Sequence, residues 1–260
     1  MPNLGTPATD STTASGIELT YKAGKLGKLP AAPRPMKTLL DYMKGSLPKA
    51  PTSLDYGPRV TGGFPMALND QYGDCTIAGA DHLLQLAYAT IGENFVYPGD
   101  DVIQSTYFGL TGGQDTGLAE QNVLNTWKDS GLLGTQIHSW VAIEPKNQVE
   151  MQLACYLFGG VYLGLDIPQA AENQFNNQQP WHLTIPRGNP IGGHCVVASG
   201  YNRNGINLIT WGKETAMTWD FWEYYGDEAY CVIPQAFIEA GHGPVASIDI
   251  LQLEADQRQI

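Results

Sequence analysis

The chain has 260 residues, a formal net charge of −12 and 43% apolar residues. That length suffices for one large domain or two lobes around a sizeable core, and the apolar share is that of an ordinary globular protein. The acidity argues against nucleic acid and anionic membrane as partners, and the longest apolar run, Leu153 to Leu165, is too short to span a bilayer.

Residues 1–20 are rich in Thr, Ser, Ala and Gly and read as a disordered tail. They hold no basic n-region or apolar h-region, so no signal peptide is read and the expected location is the cytoplasm or a virion. Residues 21–66 carry prolines at 30, 33, 35, 48, 51, 58 and 65 and read as an extended arm, with a short helix over Met36 to Lys44. The charge is uneven: residues 1–60 hold eight Lys/Arg against four Asp/Glu, and the remainder six against 22. A +4 arm beside a −16 body is expected to lie on acids, its own or those of a protein partner or second copy. A solvated tail is the other reading.

The stretch Asn69-Asp70-Gln71-Tyr72-Gly73-Asp74-Cys75-Thr76 leads into a run in which Ile77, Ala80, Leu84, Ala87, Tyr88 and Ile91 recur at helical spacing. A helix over 75–92 follows, with Asp74 as N-cap and Cys75 in the first turn. Free N–H groups and the helix dipole favour a thiolate there, as nucleophilic catalysis needs; a small buried apolar residue is the alternative. His82, two turns on, is read as structural. Asp115 or Thr116 caps a second predicted helix to Ser130, and Pro145 starts a third running to Gly159. Gly160 to Leu165 reads as a buried strand and Pro168 to Asn177 as a short helix.

A lone histidine then opens an apolar strand, His194 to Tyr201, followed by Ile206 to Gly212 and a strand from Gly226 to Ile233. Trp211, Trp219, Trp222, Tyr224 and Tyr225 form an aromatic cluster, either a cleft wall shielding the histidine or plain core. The predicted elements end with a helix over Gln235 to Ala240 and a strand over Ala246 to Leu253. Cysteines 75, 155, 195 and 231 suggest no disulfide framework and read as free thiols. With no C-x-x-C or H-x-x-x-H pair, no metal site or cofactor is read.

A cysteine opening a helix and a histidine on a strand more than a hundred residues later resemble the papain-like cysteine peptidases. Gly73-Asp74-Cys75 matches the family's G-x-C element, and His194 to Tyr201 its H-A-V-x-x-V-G-Y strand. The family's oxyanion-hole glutamine falls on Asn69. The resemblance implies an α+β fold of two lobes, a helical one with Cys75 and an antiparallel sheet one with His194. The division is then a tail (1–20), an arm (21–66) crossing outside the lobes, a papain-like domain (67–235) and a C-terminal extension (236–260). It implies a Cys75–His194 dyad, with Asn69 as oxyanion donor, acting on a peptide or amide.

The family's orienting Asn, however, falls on Ile209. Asn207 and Thr210 are the polar neighbours; Asp220, Glu223, Asp227 and Glu228 read as solvated turn residues, with replacement of the missing Asn by one of them from another direction as the alternative. The arm lacks the long helices of papain-type pro-segments and is not read as an inhibitory propeptide. The alternative function is a weakly active or inactive papain-fold structural protein, such as a phage capsid or tail component docked through its arm.

Overall fold

The computed structural model describes residues 21–31, 37–241 and 247–258. The tail 1–20 and the start of the arm helix at Met36 lie outside the described residues.

The chain folds as α+β in two lobes around one antiparallel sheet. The arm contributes a single helical turn, α1 (Leu39–Tyr42), and a two-residue strand, β1 (Leu54–Asp55). Three helices make most of the first lobe: α2 (Cys75–Thr90), α3 (Asp100–Leu110) and α4 (Glu120–Ser130). After β2 (Ile137–Ala142) come α5 (Gln148–Phe158), β3 (Val161–Pro168) and α6 (Gln169–Asn176). The sheet is completed by β4 (Pro190–Asn202), β5 (Gly205–Thr210) and β6 (Lys213–Thr218), then α7 (Trp219–Tyr225) and β7 (Gly226–Pro234). Two short helices follow, α8 (Gln235–Glu239) and α9 (Ile250–Gln257). The strand order is β2-β7-β3-β4-β5-β6, with β1 added beside β4.

Side chains from the two sheet faces feed two cores. Cys195, Val197 and Ile209 face α2 and α4, while Val196, Ala198 and Leu208 face the opposite way, among residues of α5, α6 and α7. Helix α2 is buried on nearly every side, and among its buried polar side chains Gln85 Nε2 donates to Asp81 Oδ2 and His82 Nε2 lies 2.8 Å from Pro65 O. It can lie close to the sheet because Gly79 has no side chain: a β-carbon there would sit 2.9 Å from Cys195 Sγ and 3.0 Å from the Tyr162 ring.

Several boundaries differ from the sequence reading. Helix α4 starts at Glu120, not after Asp115, because Asp115 Oδ1 instead accepts from Gly73 N (2.9 Å) and Tyr107 Oη (2.7 Å). Helix α5 starts past Pro145, where Asn147 Oδ1 accepts from Glu150 N. The expected final strand is the helix α9 instead, nucleated by Asp249, whose Oδ1 accepts from Gln252 N at 3.2 Å. Helix α3 and strands β2 and β6 were not anticipated. Their short or polar segments carry little periodicity, and tertiary pairing decides them.

Candidate active site

Cys75 occupies the first position of α2 and is buried. Its approach is a tight turn in which Ala67 and Leu68 both adopt left-handed backbone conformations (φ 53° and 63°), uncommon for residues with a β-carbon. Asp74 is at the N-cap position, yet its side chain makes no cap bond. Burial, opposed by hydrogen bonding, pushes its carboxyl up to about 8, so it is largely protonated at neutral pH.

The peptide that follows His194 meets the nucleophile position: Cys195 N donates to Cys75 Sγ at 3.4 Å. Burial pushes the Cys75 thiol up to about 12, against the pull of the Cys195 and Gly27 amides. The helix terminus alone therefore does not make a thiolate in this closed state. His194 is fully buried on β4, and burial holds its imidazole down to about 3. Cys75 and His194 are both neutral here.

His194 is held on two sides. Its Nε2 lies 2.7 Å from Thr210 Oγ1, and the Trp211 ring stacks on the imidazole with centroids 4.5 Å apart and planes at 23°. Trp211 reaches that position from a left-handed backbone (φ 46°), and Trp181 closes the edge at 6.4 Å. Nδ1 is buried without a hydrogen-bond partner.

The sheet register explains why Thr210 and not Ile209 serves the imidazole. Val197 pairs with Ile209, so Ile209 shares the α2 face with Cys195 while Thr210 shares the other face with His194. Of the other proposed stand-ins, Asn207 Nδ2 donates to Asp55, and Asp227 and Glu228 pair with Lys28. In the aromatic cluster only Trp211 covers the histidine. Trp222 Nε1 bonds Pro145 O and Trp219 Nε1 bonds Asn202 O, away from the site.

The arm does not cross outside the lobes; it runs through the cleft between them. Lys25 N donates to Asn69 O (2.6 Å), and Gly27 N and Lys28 N both donate to Gly193 O (3.1 and 3.0 Å). Leu29 N donates to Leu118 O (3.0 Å) and Leu118 N to Gly27 O (2.9 Å), so backbone ladders tie the arm to both lobes. Asn69, the expected oxyanion donor, gives its Nδ2 protons to Lys25 O and Tyr72 O, both at 3.2 Å. Trp211 Nε1 also donates to Lys25 O, at 3.4 Å.

The close approach needs glycines. A β-carbon on Gly27 would collide with the Gly73 backbone, and one on Gly117 or Gly193 with the arm's own carbonyls. The spacing Gly24-Lys25-Leu26-Gly27-Lys28 was the overlooked signal in an otherwise proline-rich stretch.

Lys28 anchors the arm. Its side chain is fully buried, with Nζ 2.8 Å from Asp227 Oδ2 and 3.0 Å from Glu228 Oε1. Burial works against its charge, but the acids Glu228, Asp227 and Glu120 outweigh burial and hold its pKa above the ordinary value. Farther along, Lys37 and Lys44 pair with Asp256 and Asp249. The basic arm thus lies on acids of its own chain, and none of these contacts calls for a partner. Among the described residues no helix is long and apolar enough to cross a membrane.

No family model matches the chain, and no curated protein matches it. Solved structures do. Xylellain, a cysteine protease from Xylella fastidiosa, is 11% identical with a TM-score of 0.61 over 82% of this chain and 97% of that one. The protease and lectin-like domains of Cwp84 from Clostridium difficile give 0.58 at 11% identity, over 83% of this chain and 57% of that one. Procathepsin B S9 from Trypanosoma congolense gives 0.52 at 10% identity, over 83% and 87%.

Proposed function

We propose that this chain, papain-like in fold, is a cysteine peptidase whose own arm fills the substrate cleft. The carrying observation is the meeting of Cys75 Sγ with the amide that follows His194, beneath an arm bonded as a strand to both lobes. An extended peptide is what such a backbone-lined cleft accepts.

With the arm out, water and substrate reach the site and the burial that keeps both groups neutral is relieved. His194 then takes the Cys75 proton, and the thiolate attacks a peptide carbonyl. Thr210 holds the imidazole orientation, and Trp211 keeps water off that bond. The Cys75 amide and Asn69, freed from Lys25 O, donate to the oxyanion. The C–N bond breaks as His194 protonates the leaving amine, and water hydrolyses the thioester to regenerate the thiol.

The test is alkylation of Cys75 by iodoacetamide across a pH series, read by mass spectrometry of its peptide. The parent chain is expected to resist labelling. Lys28→Ala, which removes the arm's anchor, is expected to label at pH 5–6, and adding His194→Ala should abolish that early labelling. Labelling of Lys28→Ala only near the free-thiol pKa of about 8.5 would overturn the peptidase reading and favour a structural role.

A further inference from the structure

We propose that the pocket holding Lys28 is a specificity pocket that selects a lysine or arginine side chain in the peptide replacing the arm. The inference rests on the peptidase reading for its consequence in cleavage, but the pocket itself is argued from its own chemistry.

Gly164, Asp227 and Glu228, which meet the Lys28 side chain, all belong to the body of the chain. Gly164 on β3 opens it: a β-carbon there would lie 2.8 Å from Lys28 Cδ and closer still to Cε. Glu228 and Asp227 receive the ammonium group, and Lys28 Nζ also donates to Leu29 O at 3.2 Å. Glu228 is fixed from behind, since Tyr230 Oη donates to its Oε2 (2.6 Å) and Gln121 Nε2 donates to Tyr230 Oη (2.9 Å).

Glu120 is the independent sign that a cation belongs here. It is fully buried, its two oxygens accept from no N–H or O–H group and have only the weak Cys195 thiol as a donor, and the charges it feels include Lys28. Burial and Glu228 push its carboxyl well up, with Lys28 opposing.

An emptied pocket would leave buried Glu228, beside the partly exposed Asp227, without its counter-charge, which is costly. An apolar side chain leaves that cost in place, an acidic one adds to it, and a lysine or arginine removes it. Arginine gains two parallel bonds to a carboxylate where lysine gains one. The pocket also lies one residue from Gly27, whose amide is beside Cys75 Sγ. A basic side chain seated here therefore sets which peptide bond faces the nucleophile.

The experiment uses full-length Lys28→Glu, in which a carboxylate against Asp227 and Glu228 expels the arm, combined with Cys75→Ala to prevent turnover. The probe is a fluorescent peptide of residues 21–31, either native or carrying Lys28→Arg, Lys28→Leu or Lys28→Glu, with binding read by anisotropy. The Lys and Arg peptides are expected to bind at least about tenfold tighter than the Leu peptide, about 1.4 kcal/mol, with the Glu peptide weakest. Adding Glu228→Gln should shrink that preference, and Gly164→Val should abolish binding of the Lys peptide. If Lys28→Glu does not fold, full-length Lys28→Ala takes its place with the same peptides.

Equal binding of the Lys and Leu peptides overturns the proposal. A peptide library given to the variant with Cys75 intact then separates the two readings. Cleavage without enrichment of Lys or Arg removes the specificity pocket and leaves the peptidase. Selective binding without any cleavage keeps a basic-peptide pocket but overturns its role in cleavage, together with the peptidase reading.

Discussion

At the scale of single residues, Thr210 is the most exposed to test. It is the hydrogen-bond partner of His194 Nε2, and Thr210→Val keeps the shape while removing the oxygen. In an arm-released background such as Lys28→Ala, that change is expected to lower kcat roughly 10²-fold, comparable to the loss of one positioned polar group in an active site, with KM little changed. Steady-state kinetics on any cleaved peptide reads it, and an unaltered kcat would remove Thr210 from the mechanism. The helix start at Cys75 and the strand carrying His194 were legible in the sequence because short motifs mark them. Thr210 stood only as one of two polar neighbours, because the family motif puts the orienting position at Ile209, one residue away and on the opposite sheet face. Only the β4–β5 register shows which face carries the imidazole.

Asp74 supplies a second prediction at this scale. Its folded-state pKa of about 8 lies above the ordinary 3.8, so the folded chain keeps a proton that the unfolded chain releases between those values. This group therefore favours folding most below about pH 4, and the benefit falls as pH rises toward 8. Buried His82 and His194, lowered by burial to about 4 and 3, act the other way below pH 6.5, which leaves pH 6.5–8 as the clean window. Across it the parent should lose on the order of 1 kcal/mol or more, at about 1.4 kcal/mol per pH unit for one proton. Asp81, raised by burial to about 7, contributes in the same sense at the lower end of the window, and so does Glu120, raised well above its ordinary value by burial, so the Asp74 share is the difference between parent and variant. Asp74→Asn should flatten the fall, as read from urea midpoints at the two pH values. Identical slopes for parent and variant would contradict this account.

At the scale of elements, the arm is the part that composition described and pattern misplaced. Its charge correctly pointed to acids of the body. Its prolines and lack of long helices read as an extended strap crossing outside the lobes, whereas glycine spacing and one lysine take it inside. The backbone of Lys25 is bonded at both N and O, and Lys28 is buried, so trypsin should cut the parent slowly at both despite the exposed Lys25 side chain. Lys28→Ala should speed cleavage after Lys25 by about tenfold or more, since loss of the anchor raises the population of the open form that proteases cut. Equal rates, followed by mass spectrometry, would show that the anchor does not hold the arm. Helix α2 was the most legible element, its apolar spacing giving both type and start. Helix α9 was placed but given the wrong type, because a short apolar run suits strand or helix until Asp249 caps it.

At the scale of the whole molecule, the arm is fastened by two different kinds of contact. Residues 37–44 lie along α9, where Lys37 and Lys44 make half-exposed ion pairs with Asp256 and Asp249 and Tyr42 Oη donates to Asp256. Exposed pairs are weak and screened by salt, whereas the Lys28 cluster is shielded from it. Raising ionic strength from 0.05 to 1 M should therefore speed hydrogen exchange at Lys44 and leave Lys28 and Leu29 nearly unchanged. Faster exchange throughout the arm would mean that Lys28 is more accessible to ions than its burial indicates. The two-lobe plan was readable from helix-first, strand-later order, but the extension of the sheet by β2 and β6 was not. Those edges are set by partners distant in sequence.

The glycine contacts across the cleft have a further consequence for how the site opens. Backbone lies on backbone at Gly27 and Gly73, and at Gly117 and Gly193 against the arm, so sliding the arm by one residue would drive the β-carbon of Leu26 or Lys28 into a carbonyl. The arm has no neighbouring register in which to rest half-engaged. It leaves by lifting off with Lys28 withdrawn, or it stays, and exposure of Cys75 is a threshold event rather than a graded leak.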